Sequence, residues 1–260
     1  MKFAALSLLL ATSLAHDGLV ETSEYNYTAT SGPLNWHHLN ETTNLRCATG
    51  KNQSPIAIQT QSIDYAEPGS LHFNVLPADH AKFENLGSGL EVVLTNGSLT
   101  TETKEHKEYN LTQFHFHTPS EHRVNDEYFP MEVHFVFKSA SETAVVGFLF
   151  QLSELGYSTP LFDSIFDRVY SIAEPGTYTY TDELDFSALA SHLHSHGVYR
   201  YTGSLTTPPC TEGVAWYLSA EQLPLNVQGY NKVKKVLKYN ARYTQNVLGE
   251  RNLLEVAKLQ

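Results

Sequence analysis

Apolar and polar residues alternate along much of the chain, which predicts a protein built mainly of β-strands. Apolar, β-branched or alternating runs are separated by Gly, Pro and Asn turns and occur at 71–76, 90–95, 111–117, 131–137, 144–151 and 213–218. The residues after Thr159 predict a helix that continues to Tyr170, with Pro160 in its first turn. A second helix is predicted at about 226–239, just before Asn240, with an inward face of Tyr230, Val233, Val236 and Leu237.

Two of the predicted strands carry histidines on one face. Side chains two residues apart in a strand share a face, so Gln113, His115 and His117 point the same way. By the same rule Glu132 and His134 share a face of the second strand. If the two strands are neighbours in a sheet, the three imidazoles converge on one point.

Three converging imidazoles indicate a metal site. Neutral imidazoles suit Zn²⁺, and three protein ligands leave a fourth position open for water, which is typical of a catalytic site. Metal-bound histidines usually donate their other ring N–H to a polar partner, and Gln113 and Glu132 each lie two residues before a histidine. A purely structural interpretation gives no reason for these polar side chains on an inward face, where unpaired polar groups are costly. We therefore predict zinc bound by His115, His117 and His134.

Composition and charge restrict the class of protein. The chain has 260 residues, of which 41% are hydrophobic and 12% aromatic, which predicts a globular protein with one domain over 16–260. The formal net charge of −11 argues against nucleic acid or an anionic membrane as a partner. No internal apolar run is long enough to span a bilayer, and the mixed segment 254–260 predicts no membrane anchor. Nothing in the sequence indicates the oligomeric state.

The first fifteen residues have the pattern of a secretory signal peptide. Lys2 precedes an apolar stretch at 3–10, and a small-x-small cleavage motif follows at 13–15. We therefore predict a signal peptide over 1–15 and His16 as the first mature residue. The predicted location is secreted or extracellular, and a cell wall or periplasm-like space also fits.

Five sequons for N-linked glycosylation follow in the mature chain. Tyr27 in the first sequon and Pro55 soon after the third argue against modification at those two positions. In a secreted eukaryotic protein, some of the five carry glycans. The candidates are Asn26, Asn40, Asn52, Asn96 and Asn110.

Several motifs together identify a family resemblance. They run in the order Tyr27…Gly32-Pro33…Trp36, GKNQSPI at 50–56, QFHFH at 113–117, SEH at 120–122, MEVHFVF at 131–137 and YTGSLTTPPC at 201–210. In sequence and order this chain resembles the alpha-class carbonic anhydrases over nearly all of its mature length. The resemblance implies a large, mostly antiparallel, twisted central sheet with a few peripheral helices and zinc at the foot of a conical cleft. It also implies reversible hydration of carbon dioxide to bicarbonate and a proton, through a zinc-bound hydroxide.

The resemblance assigns catalytic roles to Glu121 and Thr206. A hydroxyl can donate one hydrogen bond and accept another, so Thr206 would donate to ionised Glu121 and accept from the zinc-bound hydroxide. The Thr206 backbone N–H and the Thr207 side chain would contact bicarbonate or an anionic inhibitor. The apolar walls of the carbon dioxide pocket are expected to be Val136, Val145, Leu205, Val214 and Trp216. Support behind the zinc ligands is expected from Gln113, Glu132, Asn240, His122, Tyr27 and Tyr201.

The two cysteines allow two interpretations from the residues alone. In an oxidising compartment Cys47 and Cys210 could pair, or both could be free and buried. The family resemblance implies that they form a disulfide. Such a bridge would hold the loop that follows Thr206 and Thr207 close to the metal.

One position departs from the fastest members of the family. They carry a proton-shuttling histidine in an Asn-x-Gly-His segment, and the segment here ends at Ser88. A serine hydroxyl cannot relay protons near neutral pH as imidazole does, and no histidine lies between His80 and His106. Glu91 is the candidate to face the cleft and replace the histidine.

Two other functions fit part of the pattern. His115-x-His117 with Glu121 resembles the first metal motif of cupins, but Tyr109 and Tyr128 occupy the places of the expected glycines. The identity of the metal, and whether Glu121 binds it directly, would separate the two enzyme classes. A non-catalytic carbonic-anhydrase-like binding module is the other alternative. Such modules have lost a zinc histidine, whereas all three histidines are present here.

Overall fold

The computed structural model describes residues 17–101 and 107–258, so the predicted signal peptide at 1–15 lies outside the described residues. The strands of the described ranges are β1 Gly18–Leu19, β2 Ala57–Ile58, β3 Asp64–Ala66, β4 Leu71–Val75, β5 Lys82–Asn85, β6 Leu90–Val93, β7 Gly97–Thr101, β8 Glu108–His117, β9 Arg123–Val124, β10 Glu127–Tyr128, β11 Met131–Lys138, β12 Thr143–Leu152, β13 Thr177–Tyr180, β14 Val198–Ser204, β15 Glu212–Ser219 and β16 Leu223–Leu225. The α-helices there are α1 Trp36–Leu39, α2 Arg46–Thr49, α3 Pro160–Phe166, α4 Ser187–Ser195, α5 Val227–Leu237 and α6 Leu253–Ala257. Short 3₁₀ helices occur at Ala29–Ser31 and Val169–Ile172.

Thirteen of these strands form one large sheet. Its main path runs in the order β1-β13-β5-β6-β8-β11-β12-β15-β14-β3, while β7 joins β4 to β8 and β16 pairs with β12. The neighbours are antiparallel except where β12 meets β15 and β16 in parallel. A small second sheet has the order β10-β9-β2. The prediction of a mainly β protein with a large, mostly antiparallel sheet and few helices is confirmed, and each of the six predicted strands overlaps a strand of this sheet.

The first predicted helix is shorter than expected. The α-helix ends at Phe166 rather than at Tyr170, and a 3₁₀ helix follows at Val169–Ile172. The Arg168 N–H donates to the Ile165 carbonyl three residues earlier, so the backbone has changed from i−4 to i−3 bonding. Val169 stays buried in this tighter turn, which explains why its apolar spacing looked like a continuing helix. The second predicted helix is confirmed as α5, with slightly shorter bounds.

The centre of the sheet separates the protein core from the site. Phe114 and Phe116 of β8 and Phe135 of β11 belong to the main hydrophobic cluster, together with Phe162 of α3 and Val233 of α5. These helices therefore cover one face of the sheet. Alternation sends the histidines of the same strands to the opposite face.

The register of β8 and β11 places the histidines side by side. The two strands are antiparallel, with His134 opposite His115 and Glu132 opposite His117. The register shifts between Val136 and Phe137, beyond the histidines, and Thr112 is the extra residue of the resulting bulge. The convergence inferred from alternation thus rests on direct strand pairing. Within the described ranges, no helix has the length and apolar character needed to cross a membrane.

Candidate metal centre

The imidazoles of β8 and β11 meet at one point above the sheet. The ring centroids of His115 and His117 are 5.0 Å apart, those of His115 and His134 are 5.3 Å apart, and those of His117 and His134 are 4.6 Å apart. One ring nitrogen from each histidine lies within 4.8 Å of the other two. The structure therefore brings together the three residues that the sequence pattern predicts as ligands.

Two of the rings are oriented by the side chains expected from the sequence. The Nδ1 atom of His115 lies 2.8 Å from Oε1 of Gln113. The Nε2 atom of His134 lies 2.7 Å from Oε1 of Glu132. Each bond occupies one ring nitrogen, so Nε2 of His115 and Nδ1 of His134 remain for a ligand.

The third ring is oriented from the other end of the chain. Nδ1 of His117 lies 2.8 Å from the backbone carbonyl oxygen of Asn240, just after helix α5. The Asn240 side chain also joins this region, since it accepts from the Thr118 N–H and donates to the Phe116 carbonyl. Asn240 thus supports His117 through its backbone, while its amide fixes the end of β8.

The three rings are poised to be neutral. Burial, with the neighbouring His117 and His134, holds the pKa of His115 well below its ordinary value. Burial lowers the pKa of His117 to about 4, and it also lowers the pKa of His134. Neutral imidazoles can bind a metal ion without first losing a proton.

A metal ion fits this donor set. Nε2 of His117 is buried and has no hydrogen-bond partner among the described residues. Leaving such an atom unsatisfied is costly, whereas coordination would satisfy it. Three neutral imidazole nitrogens with an open fourth position match the catalytic form of a zinc site.

Glu132 is the centre of a hydrogen-bond network behind the histidines. Its Oε2 accepts from the backbone N–H groups of Glu121 and His122, and its Oε1 lies 2.7 Å from Nδ1 of His122. Burial opposes ionisation, but the interactions with His122 and His134 outweigh it and hold the pKa of Glu132 well below the ordinary range. His122, Glu132 and His134 could also hold a metal by distance alone, but their facing atoms already bond to each other.

This network continues to Tyr201 of β14. Nε2 of His122 lies 2.7 Å from the Tyr201 hydroxyl, which is 2.8 Å from Oγ of Ser54. The Ser54 hydroxyl also accepts from the Ser204 N–H at 3.0 Å. His122 and Tyr201 therefore lie where the resemblance implies, and Ser54 is an addition that sequence analysis missed.

Glu121 lies at the edge of the histidine site. Its Oε1 accepts from the Arg242 backbone N–H at 2.8 Å. Burial raises the pKa of Glu121 to about 7, while His134, the Thr206 hydroxyl and the Arg242 N–H favour the ionised form. Glu121 and Thr206 are thus neighbours, as the expected hydrogen-bond chain requires.

Apolar residues from three neighbouring strands line up beside the histidines. The Trp216 ring centroid is 4.8 Å from that of His134. Four of the five predicted wall residues form one buried hydrophobic cluster, namely Val136, Val145, Val214 and Trp216. The fifth, Leu205, is partly buried and packs against this cluster, as Tyr201 does.

A small cavity adjoins the metal centre. It has a volume of about 90 Å³ and is lined by Tyr27, Ser88, Glu91, His115 and Thr207, among others. Tyr27 and Thr207 therefore border the site, while the supporting role of Tyr27 and the anion contact of Thr207 stay predictions. Ser88 and Glu91 border the same space, so the missing histidine would have faced this cavity.

Cys47 and Cys210 form a disulfide, with an S–S distance of 2.08 Å. The pairing implied by the family resemblance is therefore present. The backbone around it is held by Arg242, which donates to the Cys47 carbonyl, and by Gln53, which donates to the Cys210 carbonyl. The bridge ties the amino-terminal part of the chain to the loop that follows Thr207.

Four of the five sequon asparagines are exposed, namely Asn26, Asn40, Asn52 and Asn110. Asn96 is half-buried and its amide donates to the carbonyls of Leu76 and Pro77. Glycosylation stays a prediction at all five positions.

Sequence analysis missed three further residues around the site. The Arg242 guanidinium is buried and bonds to backbone carbonyls, and no local sequence pattern indicated these contacts. Gly147 lies opposite His134, where an added Cβ would come within 2.7 Å of Leu218 and 3.5 Å of Glu132. A glycine inside a strongly apolar strand was the signal for this close approach. Tyr25 lines the cavity and gave no signal beyond its spacing from Tyr27.

Comparisons with known proteins agree with this geometry. The family model for eukaryotic-type carbonic anhydrase matches residues 31–256. A carbonic anhydrase of Neisseria gonorrhoeae is 35% identical over 215 residues, which cover 83% of this chain and 81% of the relative. The structure of a fungal alpha carbonic anhydrase from Aspergillus oryzae is 63% identical, with a TM-score of 0.87 over 92% of this chain and 100% of the other.

A second solved structure lies further away in sequence. The alpha-carbonic anhydrase of Thermovibrio ammonificans, in complex with the inhibitor sulfanilamide, is 31% identical, with a TM-score of 0.78 over 88% of this chain and 98% of the other. These matches also show that the cupin alternative is wrong. The chain belongs to the alpha-class, or eukaryotic-type, family of carbonic anhydrases, enzymes that hydrate carbon dioxide.

Proposed function

We propose that the protein hydrates carbon dioxide reversibly with one zinc ion held by His115, His117 and His134. The observation that carries this proposal is the set of three ring nitrogens within 4.8 Å of one another. Each of these rings has its other nitrogen in a hydrogen bond of 2.7 to 2.8 Å. Such bonds fix the ring orientation and raise the basicity of the ligand.

Zinc held by these histidines would lower the pKa of a water molecule and so supply the nucleophile, an effect for which carbonic anhydrases are themselves the general example. The chain's own residues then orient that water. An ionised carboxylate only accepts hydrogen bonds, so the Thr206 O–H donates to Glu121 and the Thr206 oxygen accepts from the water. Burial raises the pKa of Glu121 to about 7, and a cation on the three histidines would favour its ionised form.

Carbon dioxide and bicarbonate differ in charge, so different groups are proposed to hold each of them. Carbon dioxide is uncharged, so the walls of Val136, Val145 and Trp216 suit it without any polar partner. Bicarbonate is an anion, and the Thr206 N–H and the Thr207 hydroxyl are the donors proposed to hold it. The two species therefore contact different sides of the same site.

Loss of one proposed ligand tests the assignment. His117→Ala is expected to abolish stoichiometric zinc binding and carbon dioxide hydration together, because the ring fixed by Asn240 is gone. Zinc is measured by elemental analysis and hydration by stopped flow. The exposed His194→Ala is the matched control and should retain both. Full zinc and full activity in His117→Ala would show that the ligand assignment is wrong.

We also propose that the mature protein starts at His16, is secreted and carries N-linked glycans. The disulfide supports an oxidising compartment, because such bridges persist mainly outside the cytosol. Amino-terminal sequencing of the mature protein should begin at His16. A mature protein that still carries residues 1–15 would contradict the signal-peptide assignment.

A further inference from the structure

Hydroxyl groups connect the cavity beside the metal centre to the surface. The hydroxyl oxygens of Ser23 and Ser88 are 2.7 Å apart. Ser88 is 6% exposed and lines the cavity, whereas Ser23 is half-buried and lies in the segment that precedes Tyr25. The side chains of Tyr25 and Thr207 line the same cavity as Ser88. These three hydroxyl-bearing side chains therefore border the cavity, and the more exposed Ser23 is bonded to one of them.

These groups have the chemistry of a proton path. A hydroxyl can accept one proton while it releases its own, so it passes a proton on without holding a charge for long. The cavity of about 90 Å³ has room for about three water molecules between Thr207 and the histidines. Water and hydroxyls together could thus form an unbroken chain.

We propose that Tyr25, Ser88 and Ser23 form a hydroxyl route by which the proton made in carbon dioxide hydration leaves the site. The route rests on the proposed function, since it needs a reaction that releases a proton. One proton enters from water beside Thr207, each hydroxyl accepts it and releases its own to the next, and a buffer base accepts the last one. No other bond changes, and rotation of the hydroxyls restores the starting state.

The environment of Tyr25 suits a neutral relay. Burial raises the pKa of the Tyr25 phenol, so the group keeps its proton at neutral pH. Its ring packs edge-on against Trp36, with centroids 5.4 Å apart, which fixes the position of the hydroxyl. Glu91 borders the same cavity and is the competing proton acceptor.

Removal of single hydroxyls tests the route. Tyr25→Phe and Ser88→Ala should each lower kcat at low buffer by about tenfold, while kcat/KM and zinc content stay unchanged. Added imidazole buffer should restore kcat, because it accepts protons directly. Tyr109→Phe, which removes a buried tyrosine hydroxyl bonded to Glu142, is the matched control and should have no such effect.

A second readout needs no turnover. Neutron diffraction from crystals exchanged into D₂O should show hydrogen bonds running without a gap from the cavity water through Tyr25 and Ser88 to Ser23. A break that no water bridges overturns the route, as does unchanged buffer dependence in Tyr25→Phe. If Glu91→Gln lowers kcat at low buffer while Tyr25→Phe keeps the wild-type kcat, Glu91 accepts the proton. That result also overturns the hydroxyl route. Absence of zinc-dependent hydration in the wild type would instead refute the proposed function.

Discussion

The Oε2 atom of Glu121 lies 3.4 Å from the Nε2 atom of His117, and neither atom has a hydrogen-bond partner among the described residues. Both are buried, which makes two facing unsatisfied atoms costly in a protein without a ligand. A cation on the histidines and a water next to the carboxylate would satisfy both atoms. The pair therefore marks the point where metal and nucleophile meet in the proposed mechanism.

Thr206 is expected to orient the nucleophile without contributing to zinc binding. Thr206→Ala should keep zinc and lower the hydration rate by about 10²-fold, which corresponds to about 3 kcal/mol of transition-state stabilisation. Stopped-flow rates and zinc content of the same sample provide the measurement. Thr202→Ala, an exposed threonine of β14, is the control and should match the wild type. An unchanged rate in Thr206→Ala would leave the residue with a structural role only.

The raised pKa of Glu121 predicts how the metal-free protein responds to pH. The carboxyl titrates near 4.5 when unfolded and at about 7 when folded, so between these values the folded state binds the extra proton. The free energy of unfolding therefore falls as pH rises through this window, and Gln at this position removes the effect. Groups that do not interact with Glu121 titrate alike in both variants and cancel in the difference.

Urea unfolding of metal-free wild type and Glu121→Gln measures this effect. Between pH 4.5 and pH 8 the free energy of unfolding of the wild type should fall by up to about 3 kcal/mol relative to that of the variant. Glu250→Gln, at an exposed position, should show no such change. A difference between wild type and Glu121→Gln that does not vary with pH would mean that burial has not raised this pKa.

The disulfide predicts the thiol content of the mature protein. Titration of unfolded, unreduced protein should find no free thiol, because Cys47 and Cys210 are the two cysteines of the chain and they are paired. After reduction the same assay should find two. Two reactive thiols before reduction would show that the bridge does not form.

Because Ser88 stands in the place of the shuttle histidine, we expect proton export to limit turnover at low buffer. Imidazole-type buffer should raise kcat and leave kcat/KM nearly constant, since the attack on carbon dioxide is unaffected. Ser88→His should raise kcat at low buffer by about tenfold, because imidazole can hold a proton near neutral pH, whereas a hydroxyl only passes one on. High wild-type turnover that does not respond to buffer would point to another relay, and Glu91→Gln would then identify or exclude Glu91.

The sequence predicted best those features that follow from strand alternation. His115, His117, His134, Gln113 and Glu132 depend only on which face a strand presents, and antiparallel pairing of β8 and β11 preserves those faces. The family resemblance supplied the pairing of the cysteines, the prediction of the wall residues and the expectation that Glu121 and Thr206 are neighbours. No local pattern could have given these, because they join segments that are distant in the chain.

The features that the sequence did not predict depend on tertiary contacts. Arg242 reaches Glu121 through its backbone N–H, and that contact has no signature in residue type. The end of α3 depends on a change of backbone bonding that leaves the apolar spacing intact. Tyr25, Ser88 and Thr207 line one cavity although they belong to three separate segments of the chain.

The central claim is that one zinc ion on three histidines carries the hydration activity. Zinc content and carbon dioxide hydration should therefore be measured on the same sample of the mature protein, before and after removal of the metal and its stoichiometric return. We expect one zinc per chain, loss of activity on removal, and full recovery on return. Hydration that persists without zinc, or a loaded protein that does not hydrate carbon dioxide, would contradict the proposed function.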